Sequence, residues 1–180
     1  KIIDNSKIGN ILTVNDANSD WDCGIYTNGG TIKNLTVNGS FRGIFTAGQS
    51  SDIIIDNVIL DKVCYTFSAD NGNKSYDVKV TNSTLNGWTS YGNFFKEVSF
   101  TNCNFGKGTG GYQYAYCRPY QATTFTKCNF EAGYGFDASQ VQEGLVFVDC
   151  YYNGQLITQE NLVEFLGQSA ANILVNNSNN

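Results

Sequence analysis

Val98-Ser99-Phe100-Thr101-Asn102-Cys103-Asn104-Phe105 alternates apolar and polar residues up to Asn102, then continues beyond a short polar break. Alternation at a period of two reads as a strand with one buried face. Asn at the break suits a turn, because it tolerates positive φ. The pattern recurs at Ile32–Val37, Ile53–Val58, Val78–Ser83, Thr123–Cys128, Leu145–Cys150 and Ile173–Ser178. With Asn34, Asn57, Asn82, Asn102, Lys127, Asp149 and Asn177 as one phase, the steps are 23, 25, 20, 25, 22 and 28 residues. A period of this length marks a solenoid, whose units bury a core only by stacking on one another.

A second apolar stretch follows each Asn position by about nine residues, as in Gly43–Thr46, Thr66–Ala69, Tyr91–Phe94 and Phe136–Ala138. Two or three short strands per turn, with Gly, Asn or Asp corners between them, describe the coil of a parallel β-helix. Leucine-rich repeats share the period but need Leu at fixed positions, and here those positions hold Val, Phe, Thr or Ile. The composition agrees: 23 Asn and 19 Gly stand beside only 15% charged residues in 180. The expected architecture is all-β, a parallel β-helix of about seven coils in one domain over residues 1–175. Strand twist and crossover preference make it right-handed. An N-terminal partial coil is expected at Ile8-Gly9-Asn10-Ile11, and a polar tail or linker at 176–180. With Thr158 as N-cap and Gly167 as C-terminal stop, the stretch between them reads as a short helix, with Leu162, Phe165 and Leu166 on one face, placed to close the C-terminal end.

Repeats such as Val98–Phe105 and Thr124–Phe130 resemble the right-handed parallel β-helix proteins of the pectin-lyase-like superfamily, over about Ile8 to Val175. The resemblance implies an extracellular, glycan-facing protein. It does not imply one activity, since that superfamily mixes lyases, hydrolases, esterases, tailspikes and adhesins. Its polygalacturonase-like hydrolases carry an adjacent Asp pair and a Gly-His-Gly motif, and this chain has neither. No Asp cluster suggests the calcium site of its lyases. Cys117-Arg118-Pro119-Tyr120 is similar to an Arg-Pro-aromatic segment of pectin methylesterases, but the Asp motifs that precede it there are missing. No catalytic role is carried over.

The net charge of −5 argues against nucleic acid, which requires a basic stripe. No apolar run approaches the ~20 residues of a membrane-spanning helix. The chain starts at Lys1 and has no Met, so a processed piece of something longer is expected. With no His, the commonest general base and most zinc sites are absent, and neither a cofactor nor a metal is expected.

Cys103, Cys128 and Cys150 share one phase and should stack as a reduced, buried ladder, because side-by-side Cβ vectors make poor disulfide geometry. Read as apolar filler, Cys128 should tolerate Ala or Val. Ser there would cost on the order of 1–3 kcal/mol if its hydroxyl stays unpaired. The Asn phase should form a second ladder of amide hydrogen bonds. That makes sequons such as Asn34-Leu35-Thr36 and Asn82-Ser83-Thr84 poor glycan acceptors.

Two groups of residues carry functional expectations. Asp70, Arg118 and Asp137 fall near the ends of second strands, where an Arg beside carboxylates would bind or deprotonate a uronic acid; the alternative is structurally paired surface charge. Trp88, Tyr91, Tyr112, Tyr114, Tyr116, Tyr120 and Tyr134 cluster at or beside the irregular loop Gly106–Tyr120. Their flat faces with polar edges suit stacking on sugar rings or a protein partner, against a reading as core or loop cover. The leading expectation is an extracellular or surface-displayed, non-enzymatic module, adhesin-like or phage tail-like, that binds a glycan or cell-surface partner. Alternatives are a polysaccharide lyase or hydrolase with an unfamiliar site, and a structural spacer.

Overall fold

The computed structural model describes residues 2–4, 12–13, 23–109, 112–137, 144–166 and 173–178. The expected partial coil at Ile8–Ile11 lies outside the described residues, as do Gly110, Gly111, Ala138, Gly167, Asn179 and Asn180. The described chain is a parallel β-solenoid, mostly strand, with the short helix Leu162–Leu166 near the C-terminus. Its strands form one sheet of fourteen and one of six.

In the first sheet each turn supplies an apolar residue to each of two continuous inner columns. One runs Ile32, Ile55, Val80, Phe100, Phe125, Phe147 and Val175, in unbroken parallel register. The other runs Val37, Leu60, Leu85, Phe105, Phe130 and Tyr152. Because parallel strands lie ~4.8 Å apart, identical rings in one column stack. Phe125 lies 5.2 Å from both Phe100 and Phe147, with interplanar angles of 9° and 13°. Phe105 and Phe130 stack at 4.8 Å.

Between the two columns the chain turns at the Asn phase. Asn34, Asn57, Asn82, Asn102, Lys127 and Asp149 all have φ between 51° and 57°, the left-handed region. Asn accepts this backbone more readily than most residues, which is why it recurs. The expected amide ladder is present but at the surface: Asn57 donates to Asn34 (2.9 Å) and Asn102 to Asn82 (3.3 Å). Asn82 donates instead to Asp56. Past the last strand, Ser178 donates to Asp149 from both its amide and its hydroxyl. Asn176 donates to the Phe147 carbonyl.

The residue after each corner points inward, giving the column Leu35, Val58, Ser83, Cys103, Cys128 and Cys150, all buried. None of the six cysteines is in a disulfide. Burial pushes the Cys128 thiol far above its ordinary range. The ladder is more than filler. Ser83 donates to the Thr81 carbonyl, Cys128 to Thr126 and Cys150 to Val148, each two residues back. Ser83 Oγ also accepts the Val58 amide (3.0 Å), and Cys150 Sγ accepts the Cys128 amide (3.4 Å). At Cys150 these contacts give the opposite order to the one expected for Cys128, because Ser83 shows that a hydroxyl at this register is fully satisfied. Cys150→Ser should therefore change stability by less than about 1 kcal/mol, whereas Cys150→Ala orphans a buried amide and should cost about 1–3 kcal/mol. Urea unfolding of the two variants checks this; Ala as mild as Ser would show the sulfur bond to be idle.

The sequence count of seven coils is corrected to about five turns. The seven repeat copies count first-sheet strands, and a turn closes only when the second sheet also receives one. Among the described residues, the copies at Leu145–Val148 and Ile173–Val175 are not followed by a second-sheet strand. After Tyr151–Tyr152 the Asn153-Gly154 loop, both residues at positive φ, turns the chain into an antiparallel hairpin with Gln155–Leu156. The helix then covers the end of the core. Phe165 packs 4.4 Å from Tyr152 and 5.3 Å from Phe136. Thr158 and Asn161 cap each other reciprocally ahead of it, and the Leu162 amide donates to the Thr158 carbonyl, so Thr158 serves as the N-cap that the sequence predicts.

Candidate functional site

The second sheet orders its strands as Cys23–Tyr26, Arg42–Ala47, Tyr65–Asn71, Trp88–Tyr91, Tyr116–Pro119 and Gly135–Phe136. Inward positions carry Ile44, Phe67, Thr89, Cys117 and Phe136, all buried. The outward neighbours bring Arg42, Tyr65, Trp88, Tyr116 and Gly135 into one register column. Trp88 is the centre of a pile of rings, 4.5 Å from Tyr65 and 4.6 Å from Tyr116, at angles of 28° and 30°. Phe41 meets Tyr65 edge-on at 5.5 Å. Burial pushes the Tyr65 and Tyr116 phenols up, so both remain protonated at neutral pH.

The irregular loop folds back over this pile. Tyr112 meets Phe41 edge-on (5.6 Å), and Tyr114 lies 5.6 Å from Trp88 and 6.3 Å from Tyr116. Thr109 anchors the loop to a distant turn by donating from its amide (3.1 Å) and hydroxyl (2.6 Å) to Asp61. Burial opposes charge on Asp61, but these bonds outweigh it and hold the carboxyl below its usual range. Tyr114 keeps 43% of its surface exposed.

Two ion pairs flank the aromatic pile. The Arg118 guanidinium sits 4.7 Å above the Trp88 ring, donates to Asp137 (3.1 Å) and reaches the Tyr120 hydroxyl (3.4 Å). A cation over an indole face is worth roughly 0.5–2 kcal/mol, so Arg118 is held from three sides. Arg42 is placed similarly in an earlier turn, 4.3 Å from the centre of the Phe45 ring and 3.2 Å from Asp70. Between the pairs lies an open bay of about 640 Å³, lined by Ala69, Asp70, Ser90, Gly92, Asn93, Phe94 and Tyr120.

The sequence-derived candidates thus fall into three groups. Trp88, Tyr112, Tyr114, Tyr116 and Arg118 come together on one face, with Asp137 bound to Arg118 and Tyr120 at the bay. Asp70 belongs to the bay but pairs with Arg42, so Asp70, Arg118 and Asp137 are two ion pairs and not one cluster. Tyr91 and Tyr134 are core residues. Tyr91 is 0% exposed and its hydroxyl bonds Thr123 at 2.7 Å, so it offers no face to a ligand.

Sequence reasoning missed Phe41, Arg42, Tyr65, Ser90, Asn93 and Phe94. A usable signal existed for the column, since Arg42, Tyr65, Trp88 and Tyr116 are spaced by 23, 23 and 28 residues. The face presents a defined set of contact groups. It offers ring edges, phenol and hydroxyl donors, and carboxylates that accept. Arg118 is a fixed donor, because guanidinium does not lose its proton in proteins. Among the described residues no group of three or more His, Cys, Asp or Glu is placed to hold a metal ion. Comparison with protein-family models, with curated proteins and with solved structures finds no match to this chain.

Proposed function

We propose that this protein is a surface-displayed, extracellular β-solenoid module that binds glycans through the outer face of its second sheet and does not turn them over. The observation that carries the reading is the juxtaposition of the Tyr65–Trp88–Tyr116 pile with a polar bay between two ion pairs. Aromatic surface takes the apolar C–H faces of a sugar, and fixed carboxylate, amide and hydroxyl groups take its hydroxyls. A stack of parallel strands is a stiff support for display, in the manner of an adhesin or a phage tail component. A right-handed coil of the pectin-lyase-like kind belongs to the same proposal, supported by the repeat pattern and by the handedness of parallel crossovers.

The test is a glycan array followed by titration calorimetry on the best ligands. Trp88→Ala or Tyr120→Ala should weaken binding about tenfold or more, the effect of losing one anchor of about 1.4 kcal/mol. Unchanged binding in both variants would remove the face from consideration. Unsaturated products released from polyuronates would replace binding by lyase chemistry at Arg118 and Asp137.

A further inference from the structure

The proposed face has a size limit and a charge state, and these narrow its ligand; the inference rests on the glycan-binding reading above. We infer that the bay receives a short, neutral glycan end of about one or two rings, and not a run of acidic polymer. Phe45, Ser68, Ser90 and Arg118 occupy one row in continuous register, and Ser90 is the member that lines the bay. The row is bulky at both ends and small in the middle. Three strand steps of ~4.8 Å separate Phe45 from Arg118, ~14 Å between backbones, and the two end side chains take up part of it. What is left suits a ring or two, in keeping with a bay of about 640 Å³.

Among the described residues the bay's lining contains no cation, and the guanidinium groups bonded to its Asp70 and Tyr120 are already compensated. Arg42 holds Asp70 at 3.2 Å, and Arg118 holds Asp137 at 3.1 Å. A uronate would have to displace a carboxylate to reach either cation, and would do so against a chain of net charge −5. A neutral sugar needs no such exchange. Asp70 accepts from its hydroxyls, Asn93 and Ser90 both donate and accept, and the Phe94 ring offers an apolar surface to its C–H face.

Calorimetric titration of the intact protein with gluco-, manno- and galacto-oligosaccharides of one to six rings, and with matching oligogalacturonates, tests this. The expected result is that affinity for a neutral series stops rising at the disaccharide, with under about threefold gain from further rings, and that uronates bind at least about tenfold more weakly. Ser90→Trp, which fills the middle of the row, should abolish binding while leaving the circular dichroism spectrum of the native strands unchanged. Affinity that climbs with each added ring, or that favours uronates, would overturn the inference and leave glycan binding standing. Binding of none of these sugars, with none found on the array, would overturn both. The chain-length series needs no variant, so misfolding of Ser90→Trp would not decide the outcome.

Discussion

Phe125→Ala should lower the free energy of unfolding by about 3–5 kcal/mol, the range for deleting a large buried aromatic. The ring is 0% exposed and stacks at 5.2 Å on both Phe100 and Phe147. Its edges also meet Phe105, Phe130 and Phe136, at 5.5 to 5.7 Å. Removing it leaves a hole in the middle of a column whose neighbours are held by backbone register and cannot collapse inward. A solenoid is stabilised mainly between adjacent turns, so the loss falls on the boundary between the turns on either side. Urea unfolding should show a lower midpoint and, if the coils beyond Phe125 separate first, a broader transition. A loss under about 1 kcal/mol would mean that the stack is not packed as described.

Gly87→Ala should cost about 2–4 kcal/mol by a different route. Gly87 joins the strand Thr84–Asn86 of the first sheet to Trp88–Tyr91 of the second, and its φ is 147°. Holding a residue with a side chain in such a conformation costs about 1–3 kcal/mol. A Cβ there would also lie 3.0 Å from the Val63 carbonyl oxygen and 3.2 Å from that of Cys64. Those oxygens belong to the backbone of the preceding turn, so the strain spreads into the strand pairing beneath Trp88. Thermal unfolding of the variant measures the cost, and a melting temperature equal to that of the parent would refute it.

The corners were legible in the sequence because their backbone demands a rare conformation. Only a few residue types accept φ near 54° cheaply, so Asn recurs and the period shows; Lys127 and Asp149 keep the conformation without the marker. Cys103, Cys128 and Cys150 were legible as a column for the same reason, each following a corner by one position. Their hydrogen bonds were not, because apolar pattern carries no information on where a thiol points. The turn number was overcounted because the first-sheet motif persists after the hairpin at Asn153-Gly154 has ended the second sheet. Tyr91 was misassigned for a matter of parity. In Trp88–Tyr91 the alternate residues Trp88 and Ser90 face outward and Thr89 and Tyr91 face the core, and both aromatics look alike in composition. Tyr65 escaped notice because the face it belongs to is assembled from turns 23 and 28 residues apart.

The thiol column has a consequence for how long this protein lasts. In the folded state Cys64, Cys103, Cys117, Cys128 and Cys150 are shielded from solvent and separated by strand geometry, so ambient oxidants find little to attack. Each global opening exposes six thiols at once, and six allow fifteen complete pairings, none of them native. In oxidising surroundings each opening exposes the chain to trapping by mispaired disulfides. Where mispairing outpaces restacking, the lifetime of the molecule outside a reducing compartment is set by how rarely it opens, and not by the equilibrium between its folded and unfolded forms.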